Sequence, residues 1–443
     1  MALSAIQKVA LVLASSVSIL LLVLNLESVT TVSSALSVTA FRQKNTGEGS
    51  DVLTVSVQRG SDAFYSLYET REVLFGNVKE ANIAMQAALQ ATTDPRTSND
   101  NVSRAILVFL PANSTHFNKE LKAMFLSIAI MRLSQPSHIK TDLIVGTPPS
   151  NFEFPKSLGC VEDVRSGFDD SERCTVIEHV PLTQRPGVHV LDKYSNYVDS
   201  ILVLSEFRHG SAYDLLLRSD MDTFLTPAFA TWTMPARLAL VTGAGGYNSE
   251  NVKKHLKWVM ESKLGLVDAG LVNIGSTWIG QAAVMISAAR LTLAAMEWLH
   301  TQEFSEYEIN HSGVDGWPYW HWPVILLYGG HIAVNQIPKH QLLVTNSGSS
   351  INMDFGSTSK APLPTTVLHI HCWHTDDQFS KFTFQSGGYS SLDLTPYVNM
   401  ESSQSLAMTI AISSDRLSSI DFRSIVNDSQ RMKLKEWLRI TPP

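Results

Sequence analysis

Cysteine is scarce in this chain: Cys160, Cys174 and Cys372 are the only three in 443 residues. A disulfide-dense secreted scaffold is therefore excluded. Clusters of Lys and Arg are lacking too, and the net charge is −7 with a pI near 6.1. Nucleic-acid binders carry basic patches, so DNA and RNA are excluded as partners. There is no internal repeat, which sets aside solenoid arrays. Long apolar runs are rare as well. One runs from Val9 to Leu26, interrupted by Ser15, Ser16, Ser18 and Asn25. It is just long enough to span a bilayer, and no later segment reads as apolar enough to do so.

Lys8 and the terminal amine precede that run and Glu27 follows it. This bias keeps the N-terminus cytoplasmic and sends the remainder into the lumen. A short, Ser-containing span suits the thinner membranes of the early secretory pathway. The alternative is a cleaved signal peptide ending near Ser34-Ala35 or Thr39-Ala40. Either way the body is expected in the secretory lumen, on a single-pass type II protein of the Golgi or ER membrane if the run is an anchor. Four sequons fit that compartment, at Asn101, Asn113, Asn310 and Asn427. Cys160 and Cys174 bracket a polar loop with Gly167, Asp169 and Asp170, and would pair in an oxidising compartment. Cys372, in an apolar and aromatic setting, reads as a buried thiol.

Apolar content of 44% allows a full core. The expected organisation is an anchor at 1–26, a stem at 27–103, a body at 104–400 and a Ser-rich tail at 401–443 with a last helix over Ser429 to Leu438. Within the stem the pattern predicts one helix, Val78 to Ala91, capped by Asn77. From Arg104 strands and helices alternate. Strands are expected at Ala105–Leu110, Thr141–Gly146, Thr175–Val180 and Tyr213–Leu217, and later at Thr366–Ile370. Helices are expected at Asn118–Leu133, Tyr194–Leu204 and Asn251–Lys263. Gln281–His300 reads as a long helix or a strand running into one. This rhythm implies an α/β fold with a mixed, mostly parallel sheet flanked by helices. Ligands in such sheets bind at the carboxyl ends of the strands.

At the end of the fourth strand stands RSDMDTFLTP, residues 218–227. On a strand, alternation would put Arg218, Asp220 and Asp222 on one face. Two carboxylates there can share a hard cation such as Mn2+ or Mg2+. The cation would screen a diphosphate, and Arg218 would add fixed positive charge. HIHCWHTDDQFSKF, residues 369–382, is the second metal-competent motif. His369 and His371 would share a strand face, with His374, Asp376 and Asp377 beyond the turn and Lys381 as a phosphate contact. Three further segments are candidates for ligand contact. VTGAGGYNSE, residues 241–250, faintly resembles a dinucleotide-binding turn but lacks its third glycine, so it reads as a flexible loop near the ligand. NIGSTWIG, residues 273–280, offers Asn273 to sugar hydroxyls and Gly275 for close backbone approach. GVDGWPYWHW, residues 313–322, surrounds Asp315, a possible base, with Trp317, Tyr319, Trp320 and Trp322, which could stack on sugar rings.

With these motifs in place the chain resembles a Golgi-type GT-A glycosyltransferase. It also looks like a eukaryotic group of uncharacterised nucleotide-sugar-transferase-like domains, over roughly residues 104–395. The resemblance implies that Asp220 and Asp222 hold Mn2+ and the diphosphate of a nucleotide-sugar donor. It implies a late histidine as a further metal ligand, matching His371, with His369 and His374 as competitors. It implies that Lys381 touches the donor phosphates and that Asn273 and Gly275 face the donor sugar. The His-to-Lys spacing is longer than in the best-studied families, and the aromatic block has no counterpart. The acceptor would be a luminal glycan or protein. Two other readings stay open on the residues alone: a non-catalytic sugar-binding module built on the Trp cluster, and a metal-dependent hydrolase built on HIHCWH.

Overall fold

The computed structural model describes residues 36–43, 52–59, 75–91, 101–164, 173–185, 195–247, 249–310, 320–345, 349–372 and 379–426. The N-terminal apolar run, Asp315, His374, Asp376, Asp377, Asn427 and the expected last helix lie outside them. The chain divides into two compact units, Met1–Glu72 and Val73–Pro443.

In the first unit β1 (Leu36–Gln43) pairs antiparallel with β2 (Val52–Arg59). The sequence reading expected no regular element there. Val and Thr recur along both strands, and β-branched side chains favour extended backbone.

The second unit is built on a seven-stranded sheet whose strands are β3 (Val102–Phe109), β4 (Ile139–Thr147), β5 (Cys174–Glu178), β6 (Leu215–Arg218), β8 (Leu240–Ala244), β9 (Ile274–Gln281) and β10 (Leu342–Val344). They lie in the order β10–β8–β9–β6–β3–β4–β5. Every pairing is parallel except those of β9, which runs antiparallel to β6 and β8. The fold is thus mixed α/β with a mostly parallel sheet, as the alternation implied. The central strands are buried on both faces, which explains their continuous apolar runs, such as Leu215 to Leu217.

Helices cover both faces. On one side Ser195–Ser205, Ala282–Gln302 and Ile325–Val334 share a core with the sheet. On the other lie Thr115–Arg132 and Ser403–Arg416. Three expectations are corrected here. Helix Val78–Ala91 has the expected limits, and Asn77 Oδ1 accepts from Lys79 N at 2.8 Å. It belongs to the body, however, because its stripe Val78, Met85 and Leu89 is buried against Ala282–Gln302. The Ser-rich segment after Met400 begins with a core helix, not a tail. Its small hydroxyls fit inside a packed layer around Leu406 and Ile410, and Ser402 and Ser405 cap it reciprocally. Finally, Ala282–Gln302 is long and apolar enough to cross a membrane by length and composition. Leu291, Leu293, Met296 and Leu299 on it are buried inside the body, and a core helix meets the same test.

A second, three-stranded sheet matters most for the site. β7 (Thr223–Leu225) pairs antiparallel with β12 (His369–His371), which pairs in parallel with β11 (Phe355–Gly356). In that register His371 lies opposite Thr223.

Candidate metal centre and its surroundings

The acidic triplet does not lie on a strand. β6 stops at Arg218, and Ser219 to Asp222 turn the chain out of the large sheet into β7. The turn is closed by hydroxyls: Thr223 Oγ1 donates to Asp220 O at 2.6 Å and Ser219 Oγ to the same carbonyl at 3.1 Å. Strand alternation is therefore not what brings Arg218, Asp220 and Asp222 together. The crossing between two sheets does so.

Asp220 is held at both oxygens. Arg218 Nη2 donates to Oδ1 at 2.9 Å and Ser276 Oγ to Oδ2 at 2.9 Å. Arg218 is itself buried and also donates to Ser200 Oγ and the Ser276 carbonyl. It braces the first acid from beneath. Asp222 is more deeply buried, and β12 lies beside it, with Cys372 N donating to the Asp222 carbonyl at 2.9 Å. Its Oδ2 lies 3.4 Å from His371 Nε2 and 2.8 Å from Lys381 Nζ. Ligand atoms of Asp220, Asp222 and His371 all lie within 4.8 Å of one another. Two carboxylate oxygens and one imidazole nitrogen form a donor set that suits Mn2+ or Mg2+.

The electrostatics follow from burial and pairing. Burial alone would raise the Asp222 carboxyl, but the charge and hydrogen bond of His371, with Lys381, hold it well below the usual range. Burial alone would lower His371, but Asp222 and Asp354 raise it well above the ordinary imidazole value. Lys381 is likewise raised against its desolvation, chiefly by Asp222 and then Glu120.

His369 is near but otherwise engaged. Its Nε2 lies 2.9 Å from Ser219 Oγ, and its Nδ1 accepts from Asp354 N at 3.4 Å. Both nitrogens are used in tying β12 to the turn and to the β11 edge. Asn273 sits at the start of β9 with φ 62°, and its carbonyl accepts from Gly245 N at 2.7 Å. Asn273 Oδ1 is buried and meets no hydrogen-bond donor among the described residues. Asn101, Asn113 and Asn310 are exposed. Cys160 and Cys174 are joined, and Cys372 is a free, buried thiol pushed up by burial and then by Asp222. Of the aromatic block, Trp317 and Tyr319 lie outside the described residues, and Trp320 and Trp322 pack into the body. Trp320 stacks on Phe304 (4.6 Å, 7°) and on Tyr328 (4.7 Å, 5°). Trp322 is buried, with Nε1 donating to His300 at 2.9 Å.

Two acids of the site were not anticipated. Glu120, on helix Thr115–Arg132, is buried, accepts from Gln385 Nε2 at 2.6 Å and lies 3.8 Å from Lys381 Nζ. Burial first and Asp222 second raise it to about 7. A charged residue inside an otherwise apolar helix stripe was the available signal. Asp354 is buried beside β12, and its Oδ1 lies 3.2 Å from His369 Nδ1 and 3.6 Å from His371 Nδ1. Thr277 Oγ1 also donates to it. A lone acid ahead of a two-residue strand carries no sequence signal.

Residues 98–439 match the family described as Domain of unknown function (DUF7164). The chain belongs to this family. No curated protein matches. Several solved structures are similar over part of the DUF7164 chain. Mouse xyloside xylosyltransferase 1, apo form, is 12% identical, with 58% of this chain and 87% of that one covered and a TM-score of 0.30. The galactosyltransferase LgtC, in complex with donor and acceptor sugar analogs, is 13% identical, with 66% and 98% covered and a TM-score of 0.34. The WbbM bifunctional glycosyltransferase, apo, is 8% identical, with 77% and 52% covered and a TM-score of 0.33. At such scores none of these likenesses bears on what this DUF7164 chain does, and its function rests on its own side chains.

Proposed function

We propose that this chain is a metal-dependent glycosyltransferase of GT-A type that moves a sugar from a nucleotide-diphosphate donor to a glycan or protein acceptor. The observation that carries this reading is the convergence of Asp220, Asp222 and His371, from two motifs about 150 residues apart, with Lys381 beside them. The three residues would hold Mn2+ or Mg2+. A bound divalent cation supplies positive charge that stabilises a diphosphate leaving group.

The chain's own groups do the rest. Arg218 and Ser276 fix the Asp220 carboxylate, which removes reorganisation on binding. Lys381 brings an ammonium to the same side as Asp222, where donor phosphates would meet it. Asn273, its amide oxygen without a donor, would accept from a sugar hydroxyl, and Gly275 lets the backbone approach closely. Asp315 is proposed as base or acceptor contact. The disulfide favours an oxidising, luminal setting for the body, on a type II Golgi or ER membrane protein anchored by Val9 to Leu26. A Trp-based sugar platform is less favoured at Trp320 and Trp322, which pack on Phe304, Tyr328 and His300 inside the body.

A thermal-shift panel on the full chain tests this, with UDP, GDP and CMP, each with Mn2+ or EDTA. A rise in melting temperature for one nucleotide, present only with metal, is expected. Asp222→Asn should abolish that rise while leaving the far-UV circular dichroism unchanged. The same shift in Asp222→Asn, or none in the wild-type chain, would sink the reading.

A further inference from the structure

We propose that Asp354 is the positioning carboxylate of His371. It accepts from His371 Nδ1–H and so leaves Nε2, the nitrogen facing Asp222, as the ligating atom. This rests on the reading of Asp220, Asp222 and His371 as a metal centre.

Three independent features of the fold aim Asp354 there. First, it stands one residue before β11, which pairs in parallel with β12, so it lies alongside the histidine strand. Its backbone adopts φ 59°, a left-handed conformation that side chains other than Gly seldom take and that Asp tolerates better than most. Strain of that kind persists where the surroundings over-determine it.

Second, two glycines make room for its carboxylate. A Cβ on Gly243 would overlap Asp354 Oδ2, and a Cβ on Gly275 would come within 2.9 Å of the same oxygen. These residues come from the two Gly-bearing segments, VTGAGG and NIG. Gly243 sits at the irregularity where the β8–β9 register shifts. The glycine-rich turn is thus a seat for an acid, not a phosphate loop.

Third, Asp354 Oδ1 reaches both imidazoles, 3.2 Å from His369 Nδ1 and 3.6 Å from His371 Nδ1, and of the two it is His371 that turns its other nitrogen to Asp222. His369 Nδ1 also lies 3.4 Å from the Asp354 backbone N, and its Nε2 lies 2.9 Å from Ser219 Oγ, so His369 is tied at both nitrogens away from Asp222. Asp354 Oδ1 takes the Thr277 hydroxyl and lies 3.6 Å from His371 Nδ1, a small closure short of a direct bond. On its other side His371 Nε2 lies 3.4 Å from Asp222. A carboxylate behind a ligating histidine fixes tautomer and ring orientation, and losing it costs about 10–100-fold in metal affinity.

The test is a Mn2+ titration by electron paramagnetic resonance on the full chain, together with 15N imidazole spectra of the Mg2+-loaded, histidine-labelled protein. Asp354→Asn and Gly243→Ala, which keeps the acid but displaces it, should each weaken Mn2+ binding about 10–100-fold. The spectrum of the wild-type chain should show His371 protonated at Nδ1, a readout that needs no variant to fold. Wild-type affinity in Asp354→Asn, with binding lost in Asp222→Asn, would overturn the anchor and leave the metal centre standing. So would a His371 protonated at Nε2. Wild-type and Asp222→Asn chains that are alike in failing to bind Mn2+ would overturn both.

Discussion

Lys381 Nζ lies 2.8 Å from Asp222 Oδ2, joining residues 159 apart in the chain. Lys381 reaches this position from a short helix, Lys381–Gln385, that Ser380 caps by accepting from Thr383 N. Glu120 backs the ammonium at 3.8 Å. The acid triplet and the late basic residue therefore form one charge cluster.

Metal binding should release a proton. His371 is raised well above the ordinary imidazole value by Asp222 and Asp354, against its burial, and a ligating imidazole must be neutral. Apparent Mn2+ affinity should therefore rise with pH while His371 remains protonated in the free chain. Calorimetric titrations in buffers of different ionisation enthalpy should report about one proton released. Equal enthalpies across buffers would contradict this.

Glu120 should make the fold less stable as the solution turns basic. Its folded value of about 7 lies above the ordinary carboxyl value of 4.5, through burial first and Asp222 second. The folded state then binds more protons than the unfolded one between those values, so stability falls as pH rises across that window. Glu120→Gln keeps an acceptor for Gln385 and removes the titration. Its melting temperature should exceed wild type at pH 8 and converge with it near pH 5. Parallel melting curves across that range would remove the argument.

Arg104 is a buried cation that holds the chain just after the metal turn. Nη1 donates to the carbonyls of Phe229 (2.9 Å) and Trp232 (3.0 Å), and Nη2 to Ala230 (3.4 Å). Its guanidinium also lies 4.3 Å over the Phe229 ring. Arg104→Met fills the volume but removes the arginine donor from the carbonyls of Ala230 and Trp232, while Phe229 O keeps the Trp232 N–H; a buried acceptor left unpaired costs about 1–3 kcal/mol. A loss of about 2 kcal/mol or more is expected in urea unfolding. A change below about 0.5 kcal/mol, the range of neutral surface substitutions, would show that the carbonyls find other donors.

The Cys160–Cys174 bond closes a loop of 14 residues at the start of β5. Loops of that size stabilise by about 3 kcal/mol in the chain-entropy model. Cys160→Ser with Cys174→Ser should lower stability by that order, and a reductant should then have no further effect. A double variant as stable as the oxidised parent would mean that neighbouring contacts already hold the loop.

The sequence by itself determined the layered α/β body, because strands buried on both faces must read as apolar runs and the helices between them keep their periodicity. The limits of helix Val78–Ala91, the pairing of Cys160 with Cys174, and the candidacy of Asp220, Asp222 and the histidines of HIHCWH as metal ligands were also legible, since each depends on local residue chemistry. Membership of a unit was not. Helix Val78–Ala91 and helix Ser403–Arg416 look peripheral by composition, and only their packing partners place them in the core. Nor was the convergence at the site. It depends on β7 leaving the large sheet to pair with β12, a long-range register that no local pattern encodes. The same register separates His371, which faces Asp222, from His369, which is spent on Ser219 and Asp354. Asp354 and Glu120 illustrate the limit most clearly. An isolated acid acquires its role from what the fold sets against it, here two glycines and a histidine in one case and a buried lysine in the other.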